Sequence, residues 1–162
     1  MDPISVLKVD HIHRYVSDKF EAAKWYERVF GFQVVDKLLP NAKKYPKAPL
    51  DIANADNSVM FALFSTDRPE LMGSTASIAM RVTPNDFVHM MENTPELNVI
   101  DRGDSPLTND DIIHHDATGD MSVYFVDPWG NSIEIITVMT DATVKKLGTG
   151  EGLYDQEPET AS

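Results

Sequence analysis

The chain has 162 residues, 42% of them hydrophobic and 25% charged, with a formal net charge of −12 and no cysteine. This length predicts one domain, or two small modules sharing a core, with no need for metal or disulfide staples. The acid excess argues against nucleic acid or an anionic membrane as partner, since both need a basic face, and the missing thiols exclude a disulfide framework, a thiol nucleophile and a thiolate metal site.

Val6 to Val16 mixes apolar and polar residues in near alternation and predicts a strand. Asp18 then offers a helix N-cap with Glu21 three residues on, Phe20, Ala23, Tyr26 and Phe30 recur at helical spacing, and Gly31 marks a stop. Phe32–Leu39 reads as a second strand, Asn41–Pro49 as a Lys- and Pro-rich loop, and Leu50–Ala55 and Ser58–Ser65 as a third and fourth strand. The order then repeats. Ala76–Thr83 is a strand, Pro84 opens a helix carrying Phe87, Val88, Met90 and Met91, and Leu97–Asp101 is a short strand. Gly103–Asp120 is a polar loop, and Ser122–Val126 and Ser132–Val138 are strands joined by a hairpin turn at Asp127-Pro128-Trp129-Gly130-Asn131.

The pattern is βαβββ twice, in modules of about 6–72 and 73–140 that make a single domain over 1–148, followed by an acidic tail, 149–162, expected to be disordered. Charge divides along the same lines: residues 1–72 hold ten bases and ten acids, 73–148 four and twelve, and the last fourteen residues four acids and no base. No apolar run approaches the roughly 18 residues of a membrane span, and Met1-Asp2-Pro3 lacks a basic leader, so a cytoplasmic location is the default expectation. Neither a G-x-S-x-G elbow nor a phosphate-binding glycine loop is present.

Two strands carry the residues best suited to chemistry. His11, His13 and Tyr15 share one face of the first strand, and Ser132, Glu134 and Ile136 share one face of the last. A glutamate inside Ser-Ile-Glu-Ile-Ile is costly to bury without a metal, a cation or strong donors. Imidazole and carboxylate are ligands suited to Fe, Mn, Ni or Zn. An H-x-H pair on a strand can hold one ion, so His13 is a candidate third ligand, as is His115 in the polar loop. The alternative for His13 is a hydrogen-bonding pocket wall, and for His114 and His115 a solvated loop. Ser77 and Arg81 share a face of the fifth strand, where Arg81 either holds an anionic group or forms an edge salt bridge. Tyr15 and Tyr124 are candidate hydrogen-bond donors or acids, or core residues.

The stretches 9–18 (VDHIHRYVSD), 24–35 (KWYERVFGFQVV) and 122–136 (SVYFVDPWGNSIEII) resemble the vicinal oxygen chelate superfamily of glyoxalases, extradiol dioxygenases, fosfomycin-resistance and bleomycin-resistance proteins. The resemblance implies an α+β fold in which two βαβββ modules form a half-open barrel around a pocket, a homodimer, and a small-molecule ligand. It implies a divalent metal with His11 as first ligand and Glu134 as last, whereas the second and third positions fall on Ala62 and Ser77, which supply no such ligand. Two functions follow as expectations. One is a divalent-metal-dependent lyase, isomerase or dioxygenase in which His11, Glu134 and His115 or His13 are ligands, Glu134, His13 and Tyr124 are catalytic, and Tyr15, Ser77 and Arg81 bind substrate. The other is a metal-free small-molecule-binding protein of the bleomycin-resistance kind.

Overall fold

The computed structural model describes residues 8–115 and 117–148. The start of the first expected strand, Asp116 and the 149–162 tail lie outside the described residues. The chain divides into two compact units at Met72/Gly73, each α+β with a four-stranded mixed sheet.

In the first unit, β1 (Ile12–Val16) leads into α1 (Lys19–Phe30). The Asp18 carboxylate accepts from the backbone N–H groups of Phe20 and Glu21, and Gly31 closes the helix in a left-handed conformation. The expected strand at 32–39 shrinks to β2 (Gln33–Val34), and the expected Lys- and Pro-rich loop instead contains α2 (Leu39–Lys44). Pro40 in the first turn and Lys43 and Lys44 in the last favour that helix over an extended chain. β3 (Leu50–Ala53) and β4 (Met60–Ser65) complete a sheet of order β1-β4-β3-β2, with β1 parallel to β4 and β3 antiparallel to it.

The strand pleat gives this sheet two unlike faces. Leu50, Ile52, Phe61 and Leu63 are buried on the face that α1 covers with Ala22, Trp25 and Tyr26, and Tyr26 meets Phe61 edge to face at 5.4 Å. Two cations are buried in this unit. Arg14 is 3% exposed with its guanidinium 5.6 Å from the Phe61 ring centre. Lys19 donates from Nζ to the carbonyls of Ala48 at 2.6 Å and Pro46 at 3.3 Å, and burial holds its ammonium below the ordinary lysine value. The second face, of the opposite pleat, carries His13, Tyr15, Asp51, Ala62 and Phe64.

In the second unit, β5 (Ile78–Arg81) precedes α3 (Pro84–Glu92), where the Thr83 side chain accepts from the Asp86 N–H. The expected strand at 97–101 is absent. Its start is the helical turn α4 (Thr94–Leu97), and Asn98 in a left-handed conformation breaks the extension, leaving Ile100 in single bridges to Pro106 and Val126. The missing strand is supplied from inside the expected polar loop by β6 (Ile113–His115). β7 (Asp120–Val126) and β8 (Ser132–Val138) complete the order β5-β8-β7-β6, and α5 (Asp141–Leu147), not anticipated from the sequence, packs on α3. Ile133, Ile135, Met121, Val123 and Phe125 form the buried face, with Phe87 and Met91 of α3 also buried. None of the described helices is long and apolar enough to cross a membrane.

The β7–β8 turn is tied by Asp127, whose carboxylate accepts from the N–H of Trp129 at 3.0 Å, the N–H of Asn131 at 2.8 Å and the Asn131 amide at 2.9 Å. Gly130 has φ +81°, and a Cβ there would lie 3.1 Å from the Gly73 Cα. Gly119 is also left-handed, φ +68°, but has nothing within 4 Å. Replacing either by Ala costs about 1–2 kcal/mol of backbone strain, and Gly130→Ala adds the clash. Urea unfolding should therefore place the Gly130→Ala midpoint below that of Gly119→Ala; equal midpoints would show that the approach to Gly73 is not felt.

Candidate functional site

The second face of the first sheet is built around a short row of three strands. The register sets His13 of β1 beside Ala62 of β4, and Ala62 beside Asp51 of β3. An alanine methyl separates the imidazole from the carboxylate. Ala62 is only 1% exposed, as befits a methyl standing among longer neighbours. His13 packs edge-on to Phe64 at 4.8 Å, and Phe64 lies 5.7 Å from Tyr15.

His11 precedes β1, and its Nε2 lies 3.2 Å from the His13 Nε2. The ring centres are 5.1 Å apart, so the imidazoles approach through their nitrogen corners. On the far side of the ring, His11 Nδ1 is 2.8 Å from the Asp10 carboxylate. Donation from Nδ1–H to that carboxylate leaves the Nε2 lone pair facing His13, and the contact with His11 holds the Asp10 carboxyl below its ordinary value. Asp51 behaves in the opposite way. Burial pushes its carboxyl above the ordinary value, and the charges of His11 and His13 partly offset that.

The equivalent row of the second sheet runs Ala79, Glu134, Tyr124 on β5, β8 and β7. Glu134 and Tyr124 are direct cross-strand neighbours, both half-buried. Ser77, just before β5, shares a 2.6 Å hydrogen bond with Ser132. Arg81 is on the Glu134 face, but its guanidinium is bidentate on Asp120, at 2.8 and 3.1 Å. Of its two expected roles, the salt bridge is the one formed. His115 is in a strand rather than a solvated loop; it pairs with Asp120, and its Nε2 lies 2.9 Å from the Ser122 hydroxyl. Glu134 lies two strands and four ladder positions away from it, roughly 16 Å along the sheet backbone. The structure therefore does not bring His115 and Glu134 together within this unit.

On distance, the first-unit imidazoles suit a metal ion: nitrogens about 2.0–2.1 Å from a common centre are separated by about 3 Å when cis. Among the described residues, no three His, Cys, Asp or Glu side chains are arranged to hold an ion as they stand. Sequence reasoning found His11 and His13 and missed Asp51, although an aspartate alone in Leu-Asp-Ile-Ala is as unusual as the glutamate in β8.

The Asp120 carboxyl is held below its ordinary value, first by hydrogen bonding to Arg81. A carboxylate whose folded value is depressed stabilises the fold above its unfolded value, near 3.9, and loses that contribution as pH falls through the folded value. Asp120→Asn should thus flatten the acid limb of the stability curve below about pH 4, measured by thermal melting across pH; an acid limb identical to that of the parent chain would deny the pair this role.

A sequence profile of the Glyoxalase/Bleomycin resistance protein/Dioxygenase superfamily matches residues 8–135. Solved structures share the fold at low identity. A glyoxalase/dioxygenase from Nostoc punctiforme is 21% identical with a TM-score of 0.55, covering 86% of this chain and all of that one. The oxidase ChaP-H2 is 20% identical with a TM-score of 0.58, covering 82% and 94%. The fosfomycin resistance protein FosX of Listeria monocytogenes, solved with Mn(II) and sulfate, is 13% identical with a TM-score of 0.55, covering 87% and 98%. No curated protein is similar to the chain at a significant level. With the profile spanning most of the chain, from before β1 into β8, the protein belongs to the Glyoxalase/Bleomycin resistance protein/Dioxygenase superfamily.

Proposed function

We propose that the chain is a divalent-metal-dependent enzyme, a lyase, isomerase or dioxygenase acting on a small oxygenated molecule. The observation that carries this reading is the pair of histidine Nε2 atoms 3.2 Å apart, one of them oriented by a carboxylate on its other nitrogen. Metal-ligating histidines characteristically donate their second N–H to a carboxylate in this way. His11 and His13 would hold Fe, Mn, Ni or Zn, and FosX, of the same fold, has been solved with Mn(II).

Such an ion supplies Lewis-acid polarisation of a bound substrate oxygen. The chain's own groups do the rest. On the second sheet, Glu134 is a half-buried carboxylate suited to accepting a proton, and Tyr124 directly opposite carries a phenol suited to donating a hydrogen bond. Tyr15 and Phe64 form an aromatic wall beside His13. Arg81, committed to Asp120, steadies the sheet edge rather than receiving an anion.

A metal-free binding protein is the second reading. It is favoured by Ala62 and Ser77 at the positions where the family likeness calls for ligands, Ser77 being bonded to Ser132. Elemental analysis of untagged protein separates the two. After incubation with Fe2+, Mn2+, Ni2+ or Zn2+ and removal of excess, the enzyme reading expects close to one ion per chain, lost in His11→Ala and in His13→Ala. Wild-type protein that retains none of the four metals would leave the binding reading in place.

A further inference from the structure

Positive charge is concentrated in one stretch of this acidic chain. Between Asp36 and Asp51 there is no acidic residue, yet Lys37, Lys43, Lys44 and Lys47 all fall there. All four are exposed, and none takes part in the ion pairs among the described residues. Without these four lysines the net charge of −12 becomes −16, so the patch opposes the sign of the rest of the chain. Lys43 and Lys44 complement the C-terminal end of α2, but Lys37 and Lys47 have no such use.

The patch is also held in shape. Tyr45 donates its N–H to the Asn41 carbonyl at 2.9 Å, and Ala48 donates to the Tyr45 carbonyl at 3.0 Å. The buried Lys19 ammonium ties down the carbonyls of Pro46 and Ala48. Lys47 is therefore carried on a fixed turn, and Tyr45 is left 51% exposed with the Lys44 Nζ 5.1 Å from its ring centre. A surface ordered in advance loses less freedom when a partner arrives.

We propose that residues 37–47 are a docking surface for an acidic segment of a partner protein, one whose apolar or aromatic residue lies on Tyr45. Size and charge select a polypeptide strand over a larger polyanion. The six residues of α2 span about 9 Å, and an extended segment of about six residues spans about 20 Å, enough to cross the patch and little more. A nucleic acid or an anionic membrane extends past it and comes within the Debye length of about 8 Å of the acids elsewhere on the chain. The patch holds lysines and no arginine, whereas the guanidinium fork is the group matched to phosphate. None of these residues is assigned to metal or substrate, so the docking surface is independent of the metal-dependent reading.

The test is fluorescence anisotropy of the full-length chain with a labelled peptide of Asp and Glu around one Trp, beside its Asn/Gln counterpart and a single-stranded DNA of similar charge, together with cosedimentation on phosphatidylserine vesicles. The acidic peptide is expected to bind and its Asn/Gln counterpart not to, with affinity falling at least about 10-fold between roughly 50 and 300 mM NaCl. The double substitution Lys43→Gln, Lys44→Gln should weaken binding at least about 10-fold and Tyr45→Ala about 3–10-fold, while Lys145→Gln on α5 leaves it unchanged. Circular dichroism verifies that each variant is folded. No binding of the acidic peptide by the parent chain, parent-like affinity in the double variant, or an equal loss in Lys145→Gln overturns the assignment. DNA or vesicles bound more tightly than the peptide overturn it in favour of a polyanion or a membrane. Self-association of the parent chain in sedimentation, lost in the double variant, overturns it in favour of a second copy.

Discussion

The alternation of the strand pleat governs everything else in this protein. Along β1, Ile12, Arg14 and Val16 turn to one side and His13 and Tyr15 to the other. The helix-facing side takes the large apolar residues, Phe61, Leu63 and Ile52 with Tyr26 of α1, and each such side chain contributes roughly 1.5–3 kcal/mol on burial. A one-residue slip of β4 would put Phe61 where Ala62 stands and turn the whole apolar set outward. The core therefore fixes the register, and the register fixes which polar groups meet. His13, Ala62 and Asp51 form a row because Phe61, Leu63, Leu50 and Ile52 must be buried.

The legibility of the sequence follows from the range of the interactions involved. α1 and its caps, the Pro84 helix start and the Asp127–Asn131 turn are local devices, and all were readable. The elements that sequence reasoning misplaced are short and held from outside. α2 lies in a stretch whose lysines and prolines read as a loop. Asn98 interrupts an apolar alternation that looked like a strand, and β6 is apolar only at Ile113 and exists through its pairing with β7. The candidate site divides in the same way. His11 and His13 are two residues apart and were visible as a pair. Asp51 joins them only through two strand pairings, across 38 residues of sequence (51 − 13), and no local pattern announces it. Arg14 and Lys19 are buried cations whose partners come only from the tertiary context.

The family likeness reached further than periodicity could. It added an expected family to the βαβββ order already read from the residues, and the profile match over residues 8–135 bears out that membership. The ligand pattern it carries is interrupted in this chain, and the interruptions are chemically coherent. At Ala62 the loss of a donor side chain opens a gap between His13 and Asp51, and at Ser77 the hydroxyl is bonded to Ser132. The strong acidity of the second half also has a local use. In the 101–120 segment, Asp101 accepts from the N–H groups of Gly103 and Ser105, Asp111 caps a short helical turn, and Asp120 holds Arg81. These carboxylates are spent on backbone and salt bridge, which removes them as general attractors of a cation.

The proposed metal-dependent function rests on His11 and His13 meeting a cation through their two Nε2 atoms, which lie 3.2 Å apart. Long-range 1H–15N NMR of the histidine side chains in the full chain, before and after one equivalent of Zn2+, examines this pair. His11 is expected in the Nδ1–H tautomer throughout, with metal-induced shifts of the Nε2 resonances of both His11 and His13 and those of His89 and His114 unmoved. Nε2 resonances of His11 and His13 that do not respond to the metal, or His11 in the Nε2–H tautomer, would rule the pair out as the cation's ligands.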